Sequence, residues 1–181
     1  MKEIRLYGRR LPDYAHVAPF VGAGRLLAEA ALAEGNHVQF RPPWLFLRGF
    51  VPESALLRVD TAPIDTADQD YRPDLVVVTD ARVPAEADVA AGLQAGGTIL
   101  VNAVQAPPVQ GAGRVLAVDL DSVAKRHRVD LSVPLAAAAA ALSGIVGAEA
   151  LRRAAQARHG RAAAAALAAA AGLVEAGNPA H

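Results

Sequence analysis

At 181 residues the chain has room for one α/β domain with a full core and is tight for two independent domains. Lys and Arg number 18 and Asp and Glu number 18, so the formal net charge is zero and no long basic run offers an electrostatic footprint for nucleic acid. Cysteine is absent, which excludes a disulfide framework and any thiolate-ligated iron–sulfur or zinc site held by this chain.

The amino terminus begins directly with a strand pattern and lacks the charged and apolar regions of a signal peptide, so a cytoplasmic location is expected. Ile4 and Leu6 alternate with Glu3 and Arg5, predicting a strand over Lys2–Tyr7. Gly8-Arg9-Arg10 opens the following loop, and Pro12, Asp13 and Pro19 keep residues 11–19 out of a helix. From Pro19 to Glu34 apolar residues recur at three- and four-residue spacing, and Gly22, Ala23 and Gly24 are small enough for a close approach to the sheet. Gly35-Asn36 ends this helix, and His37–Phe40 follows as a second strand. The opening therefore predicts a right-handed β-α-β unit with parallel strands. Its first loop lies at the sheet's carboxyl edge, where open α/β folds bind ligands.

Residues 41–50 gather two prolines, Trp44, Phe46 and Phe50 with Arg41 and Arg48. Two readings stay open for this segment: a loop whose aromatics pack on the core, or an interface, since Trp, Phe and Arg are enriched in buried contact centres. Ala55–Val59 reads as a third strand, and Asp60–Tyr71 as a polar connection with solvated acids. Leu75–Thr79 is a continuous β-branched and apolar run ending in Asp80, as expected of a central parallel strand covered on both faces. Pro84–Ala95 is expected to be a helix stopped by Gly96-Gly97, and Thr98–Asn102 a further buried strand. A proline-rich loop leads to a strand over Val115–Asp119. Asp80, Asn102 and Asp119 thus form a polar rim at three strand ends, explained either by capping of the next turns and helices or by contact with a ligand.

Asp121–Arg128 reads as a short helix, and three alanine-saturated helices follow over Leu135–Ser143, Ala148–His159 and Arg161–Ala176. Alanine favours helix but buries little area, so these helices must lie close to neighbours or to another subunit. Residues 131–147 are too short and too rich in alanine to span a bilayer, and no membrane contact is expected. The expected fold is α/β: a single open, mostly parallel sheet flanked by helices. Its core covers residues 1–134, and an Ala-rich helical extension over 135–181 packs on the same domain or on a partner.

The residues point to no catalytic set. His16, His37, His127, His159 and His181 are scattered without metal-ligand spacing, and no carboxylate pair stands out as acid and base. A dinucleotide fingerprint needs Gly-x-Gly-x-x-Gly directly after the first strand, but only Gly8 follows it, and Gly22-x-Gly24 falls inside the helix. Arg9 and Arg10 can still meet an anionic ligand through their side chains.

Taken in order, Lys2–Arg9, Leu26–Ala31, Arg48-Gly49, Pro73–Val78, Gly96–Asn102 and Val115–Asp119 carry a resemblance. The chain resembles the gamma subunit, or gamma domain, of the thiamine-diphosphate-dependent 2-oxoacid:acceptor oxidoreductases, the group of the pyruvate and 2-oxoglutarate ferredoxin oxidoreductases. It departs from that pattern twice. After Gly8-Arg9 the family's Gly-Arg-Gly-Gly-Gln-Gly loop is replaced by an insert running through Tyr14 and His16 to Pro19, and of its Gly-Pro-Glu-x-Arg-Gly segment only Arg48-Gly49 remains.

The resemblance implies one subunit of an enzyme that decarboxylates a 2-oxoacid oxidatively to an acyl-coenzyme A, this chain alone not being catalytic. Thiamine diphosphate with Mg and [4Fe-4S] clusters are then expected on partner subunits, namely alpha and beta chains and a ferredoxin-like delta chain. Coenzyme A is expected as co-substrate near the interface. The candidate contacts to coenzyme A or to a neighbouring subunit are then Gly8, Arg9, Arg10, Arg48 and Asn102, Arg10 standing where the family's loop has been replaced. The alternatives are a stand-alone nucleotide-binding α/β regulatory module and a purely architectural subunit.

Overall fold

The computed structural model describes residues 1–9, 18–43, 52–65, 67, 70–111 and 113–177. The strands are β1 (Lys2–Arg9), β2 (His37–Arg41), β3 (Pro52–Asp60), β4 (Leu75–Val78), β5 (Thr98–Asn102) and β6 (Arg114–Val118). The helices are α1 (Pro19–Ala33), α2 (Leu120–His127), α3 (Ser132–Ser143), α4 (Ala148–His159) and α5 (Ala162–Gly177). The six strands form one sheet in the order β2-β3-β1-β4-β5-β6.

β1, β4, β5 and β6 run parallel, while β3 is antiparallel to both β1 and β2. β2 therefore points the same way as β1, as the β-α-β reading expects, but the two are not neighbours. β3 lies between them, pairing with β1 from Lys2↔Val59 to Arg9↔Pro52 and with β2 from His37↔Asp60 to Arg41↔Leu56. The pattern of Ala55–Val59 marks a strand but carries no information on which neighbours it joins, so this insertion is invisible in sequence.

One face of the sheet carries all five helices. Ile4, Leu6, Leu57, Val59, Leu75, Val77, Leu100 and Leu116 pack there in one core with residues of α1 to α5. α3 is buried almost all round, from Ser132 to Ala140, as a helix apolar on every side must be. Its alanines let α1 and α5 come close: a Cβ on Gly22 of α1 would stand 2.8 Å from Ser132 Cβ. The helical layer is tied to the sheet's amino edge by Lys2, whose Nζ donates to the carbonyls of Ser143 (2.6 Å) and Gly144 (3.0 Å) at the end of α3.

Among the described residues the opposite face is covered by turns and a short 3-10 helix. Beneath β4 and β5, Val76, Val78, Ile99 and Val101 pack against Val83, Val89 and Leu93. This is the segment read from sequence as a helix over Pro84–Ala95. Only a 3-10 turn, Val83–Ala85, forms there, and the rest is turns. The Asp88 carboxylate accepts from Ala90 N at 3.1 Å, a local bond that competes with a helix. Gly92 then takes φ +73°, and a Cβ added there would lie 2.8 Å from the Tyr71 carbonyl oxygen, so both conformation and space call for glycine. Gln94 fastens the segment to the sheet, its N donating to Pro73 O at 3.0 Å and its Nε2 to Asp74 Oδ1 at 2.9 Å. Alanine-rich helix propensity loses here to these turn bonds.

Beneath β1 and β3 the same face is polar yet buried. Glu3 and Arg58 are cross-strand partners, and Arg58 has no exposed surface (0%). Arg58 Nε donates to Glu3 Oε2 at 2.8 Å and its Nη2 to Asp70 O at 2.8 Å, and its guanidinium stacks over the Tyr71 ring at 4.7 Å.

Candidate functional site

The sheet's carboxyl edge collects most of the residues singled out from sequence. Gly8 is the penultimate residue of β1, and an added Cβ would lie 2.3 Å from Phe20 Cδ1 and 2.7 Å from Thr79 Oγ1. Glycine is needed here so that Phe20, in the first turn of α1, can close over the end of the strand. The space above Gly8 is filled by Phe20 and Thr79, and among the described residues no cradle of the kind a pyrophosphate requires is formed there.

Arg9, the last residue of β1, pairs with the Glu86 carboxylate just after the 3-10 turn, and its side chain keeps 19% exposure. Asp80, two residues beyond β4, holds Arg82 in a fork: Arg82 Nε donates to Oδ1 at 2.9 Å and Nη2 to Oδ2 at 2.5 Å, while Arg82 N donates to Oδ1 at 2.9 Å. The bond from the Arg82 side chain, its backbone N–H and the charges of Arg82 and Arg9 together hold the Asp80 carboxyl below the usual carboxylate range, against a smaller opposing effect of burial. The Arg82 side chain is 73% exposed, so the rim presents a guanidinium to solvent beside the Arg9–Glu86 pair.

Asn102 ends β5 with 5% exposure. Its Nδ2 donates to Asp121 Oδ2 (3.1 Å) and Thr79 O (3.3 Å), and its Oδ1 accepts from Leu120 N (2.9 Å). Asn102 thereby ties the ends of β4 and β5 to the start of α2. Asp119 caps α2, accepting from Ser122 N at 3.0 Å and from Ser122 Oγ at 2.5 Å, and the Ser122 hydroxyl bond is the main cause of its lowered carboxyl pKa. Of the two sequence readings of this rim, capping describes the contacts that Asp80, Asn102 and Asp119 make within the chain.

Beside the Arg9–Glu86 pair, an open cleft of about 450 Å³ runs between the segments after β4 and β5, lined by Pro84, Glu86, Asp88, Val89, Val109 and Gly111. Val104, on the loop after β5, is 81% exposed. Arg10 and Arg48 lie outside the described residues, as do Trp44, Phe46, His16 and His181. The described residues nearest them in sequence are placed: Arg9 pairs with Pro52, and β2, which runs parallel to β1, ends at Arg41, so the ends of β1 and β2 and the start of β3 lie on this same edge.

Sequence reasoning missed Arg82 and Glu86. Asp80-x-Arg82 is an Asx-turn pattern that can be read directly, whereas Glu86 was hidden inside the expected helix. His37, His127 and His159 fall on three separate elements, and among the described residues no group of three His, Asp or Glu side chains is placed to hold a metal ion.

The family described as pyruvate ferredoxin/flavodoxin oxidoreductase matches residues 20–177. The chain is 41% identical over 102 residues to the pyruvate/ketoisovalerate oxidoreductases common subunit gamma of Thermococcus litoralis, a stretch covering 56% of this chain and 52% of that relative. The match thus spans about half the length of that relative. Pyruvate synthase subunit PorC of Methanocaldococcus jannaschii is 30% identical over 167 residues, covering 85% of this chain and 84% of the relative. The crystal structure of pyruvate oxidoreductase subunit PORC from Thermotoga maritima superposes with a TM-score of 0.70 at 27% identity, over 97% of this chain and 94% of that one. With the family match covering everything from α1 to the end of α5 and the fold shared along nearly the whole chain, this protein belongs to the pyruvate ferredoxin/flavodoxin oxidoreductase family.

Proposed function

We propose that the chain is the gamma subunit of a multi-subunit 2-oxoacid:acceptor oxidoreductase that oxidatively decarboxylates a 2-oxoacid to an acyl-coenzyme A, and that its carboxyl edge packs against partner chains near coenzyme A. The observation that carries this reading is the family match over residues 20–177, together with the names of the relatives, which are gamma and PorC subunits of pyruvate and ketoisovalerate enzymes. In this reading thiamine diphosphate with Mg and the [4Fe-4S] clusters sit on the alpha, beta and ferredoxin-like delta partners, in the cytoplasm. The sequence has no cysteine to ligate a cluster here.

Among the described residues, those at this edge do not by themselves make an autonomous coenzyme A site. Phe20 fills the space over Gly8, Arg9 is paired with Glu86, and Asn102 is engaged in internal bonds. The chain's part is therefore to contribute an edge: Arg9 and Arg82 as cations, exposed Val104 as an apolar contact, and the connections carrying Arg10 and Arg48, both rooted on that edge. Gly8 and Asn102 serve by holding the rim in shape. A shared cleft completed by another subunit is the arrangement this edge fits, and no catalytic step is assigned to it.

Purification of the tagged chain from its own host tests the reading. A complex of several chains carrying iron and thiamine diphosphate is the expected result. A lone monomer that binds a nucleotide and brings neither would overturn it. Within an intact complex, charge-removing substitutions at Arg9 that alter assembly alone favour the purely architectural role over one near coenzyme A.

A further inference from the structure

Helix α2 ends in a run the rim does not use: Lys125, Arg126, His127 and Arg128. Lys125, Arg126 and Arg128 are exposed, and among the described residues none of the three makes an ion pair. The acids nearest in sequence are turned to other work. Asp119 and Asp130 accept backbone N–H bonds from Ser122 and Ser132, and Asp121 accepts from Asn102. Lys125 does act at a distance on Asp119, helping to lower its carboxyl pKa, so the surplus is sharpest at Arg126 and Arg128.

Cations in a last helical turn are favoured by the helix dipole, and that accounts for Lys125 and Arg126. It does not account for Arg128. Arg128 adopts φ 54° and ψ 46°, the one non-glycine residue with positive φ among those described. It occupies the left-handed position of a C-terminal cap in which Val129 N donates to Ala124 O at 3.1 Å. At the ends of α1, α3 and α4 the chain places Gly35 (φ 81°), Gly144 (φ 57°) and Gly160 (φ 73°). Only at α2 does it keep a side chain where a Cβ is sterically penalised, and that side chain is a third exposed cation. α3 closes on the same left-handed cap with Gly144, so a backbone cost retained at Arg128 points to a use for the side chain.

From this juxtaposition we propose that Lys125, Arg126 and Arg128 form a docking patch for an acidic face of another protein subunit of the enzyme. The chain is neutral overall, so the patch is a local excess and not part of a general basic surface. Three exposed cations gathered at one helix end, with no tract of basic residues beyond them, suit a carboxylate-rich protein face better than a nucleic-acid strand. At 1.5 Å per residue Arg128 lies roughly 12 Å along α2 from Leu120, whose N–H donates to Asn102, so the patch occupies the opposite end of the helix from that rim bond. The partner being a subunit rests on the function proposed above.

The test reconstitutes the full chain with the remaining purified subunits and measures affinity at low salt, about 0.05 M, and high salt, about 0.5 M. Arg126→Glu/Arg128→Glu is expected to weaken association about tenfold or more at low salt, with the gap closing at high salt. Arg128→Gly is expected to weaken association several-fold while raising the thermal midpoint of the isolated chain, an opposition that misfolding cannot produce. An Asp or Glu→Lys change on the partner should restore binding to the double variant. Unchanged affinity in both variants overturns the patch while leaving the subunit reading intact. Binding of the cluster to anionic vesicles or RNA, with subunit affinity unaffected, overturns the choice of partner. A wild-type chain that associates with no thiamine-binding or cluster-binding subunit overturns both readings, and is recognised by failing before any substitution is made.

Discussion

Glu3 and Arg58 face each other across β1 and β3 and meet at 2.8 Å with side-chain exposures of 4% and 0%, an ion pair sealed inside the sheet's helix-free face. Tyr71 closes it from below, and the Asp70 carbonyl takes a further guanidinium N–H. A buried pair stabilises little relative to apolar groups of the same volume, but breaking it from one side leaves a charge without its partner. Arg58→Met should therefore destabilise the chain by about 3–5 kcal/mol, and Glu3→Leu/Arg58→Met should recover most of that loss. Denaturant unfolding of the wild type, the single variants and the double variant measures both numbers. A double variant no better than Arg58→Met would show that the pair's geometry carries the stability.

Gly8 sets a second expectation. An added Cβ falls 2.3 Å from Phe20, whose ring is fully buried (0%) and cannot step aside. Gly8→Ala should lower stability by about 1–3 kcal/mol through overpacking. Combining it with Phe20→Leu should restore part of the loss, which thermal unfolding will show as a non-additive pair.

Asp80 and Asp119 make stability depend on pH in a definite direction. Both carboxyls titrate lower in the folded chain than in the unfolded one, so the unfolded state binds their protons first as pH falls. Their contribution is complete above the unfolded carboxyl pKa of about 3.9 and is lost as pH drops through the lower folded values. Asp119→Asn keeps a capping side chain while removing the titration, so the acid side of its stability curve should be flatter than the wild type's. Unfolding midpoints followed from pH 7 down to about pH 2 test this, and parallel curves would refute it.

Asn102 offers a local measurement. Asn102→Ala would strand Leu120 N, a buried donor, and release the Asp121 carboxylate, with an expected cost of about 1–3 kcal/mol. Amide exchange at Leu120 should speed up more than exchange in β1. Uniform acceleration across the sheet would point instead to global destabilisation.

For the assembled enzyme, Arg9→Gln should raise KM for coenzyme A or loosen the complex, with turnover at saturation little changed. Unchanged KM and unchanged assembly would remove Arg9 from the proposed edge.

Much of this architecture could be read before any coordinates. Leu75–Val78 announces a strand buried on both faces because its apolar run is continuous, and it is fully buried. The alanine helices were expected to need close neighbours, and α3 has them on every side. Three features were not legible, each for its own reason. β3's place between β1 and β2 is a pairing between distant segments, which local pattern does not encode. The turns after Val83 arise because Asp88 and Gly92 override propensity that points to helix. Arg58's burial inverts the usual rule that charged strand positions face water, and only the matching register of Glu3 makes it tolerable. At the rim, Asp80, Asn102 and Asp119 were identified by position, but their partners, Arg82 above all, came from geometry.

The placement of β3 also bears on how such a chain can change over generations. The elements that flank residues 10–17 and 44–51 in sequence, β1, α1, β2 and β3, are locked by long registers or packing. Lengthening the chain between two fixed ends costs little in closure entropy, about 0.6 kcal/mol for each doubling. The framework can therefore absorb insertions there without slipping a strand. Changes of residue type in those two stretches therefore leave the register of the scaffold beneath untouched.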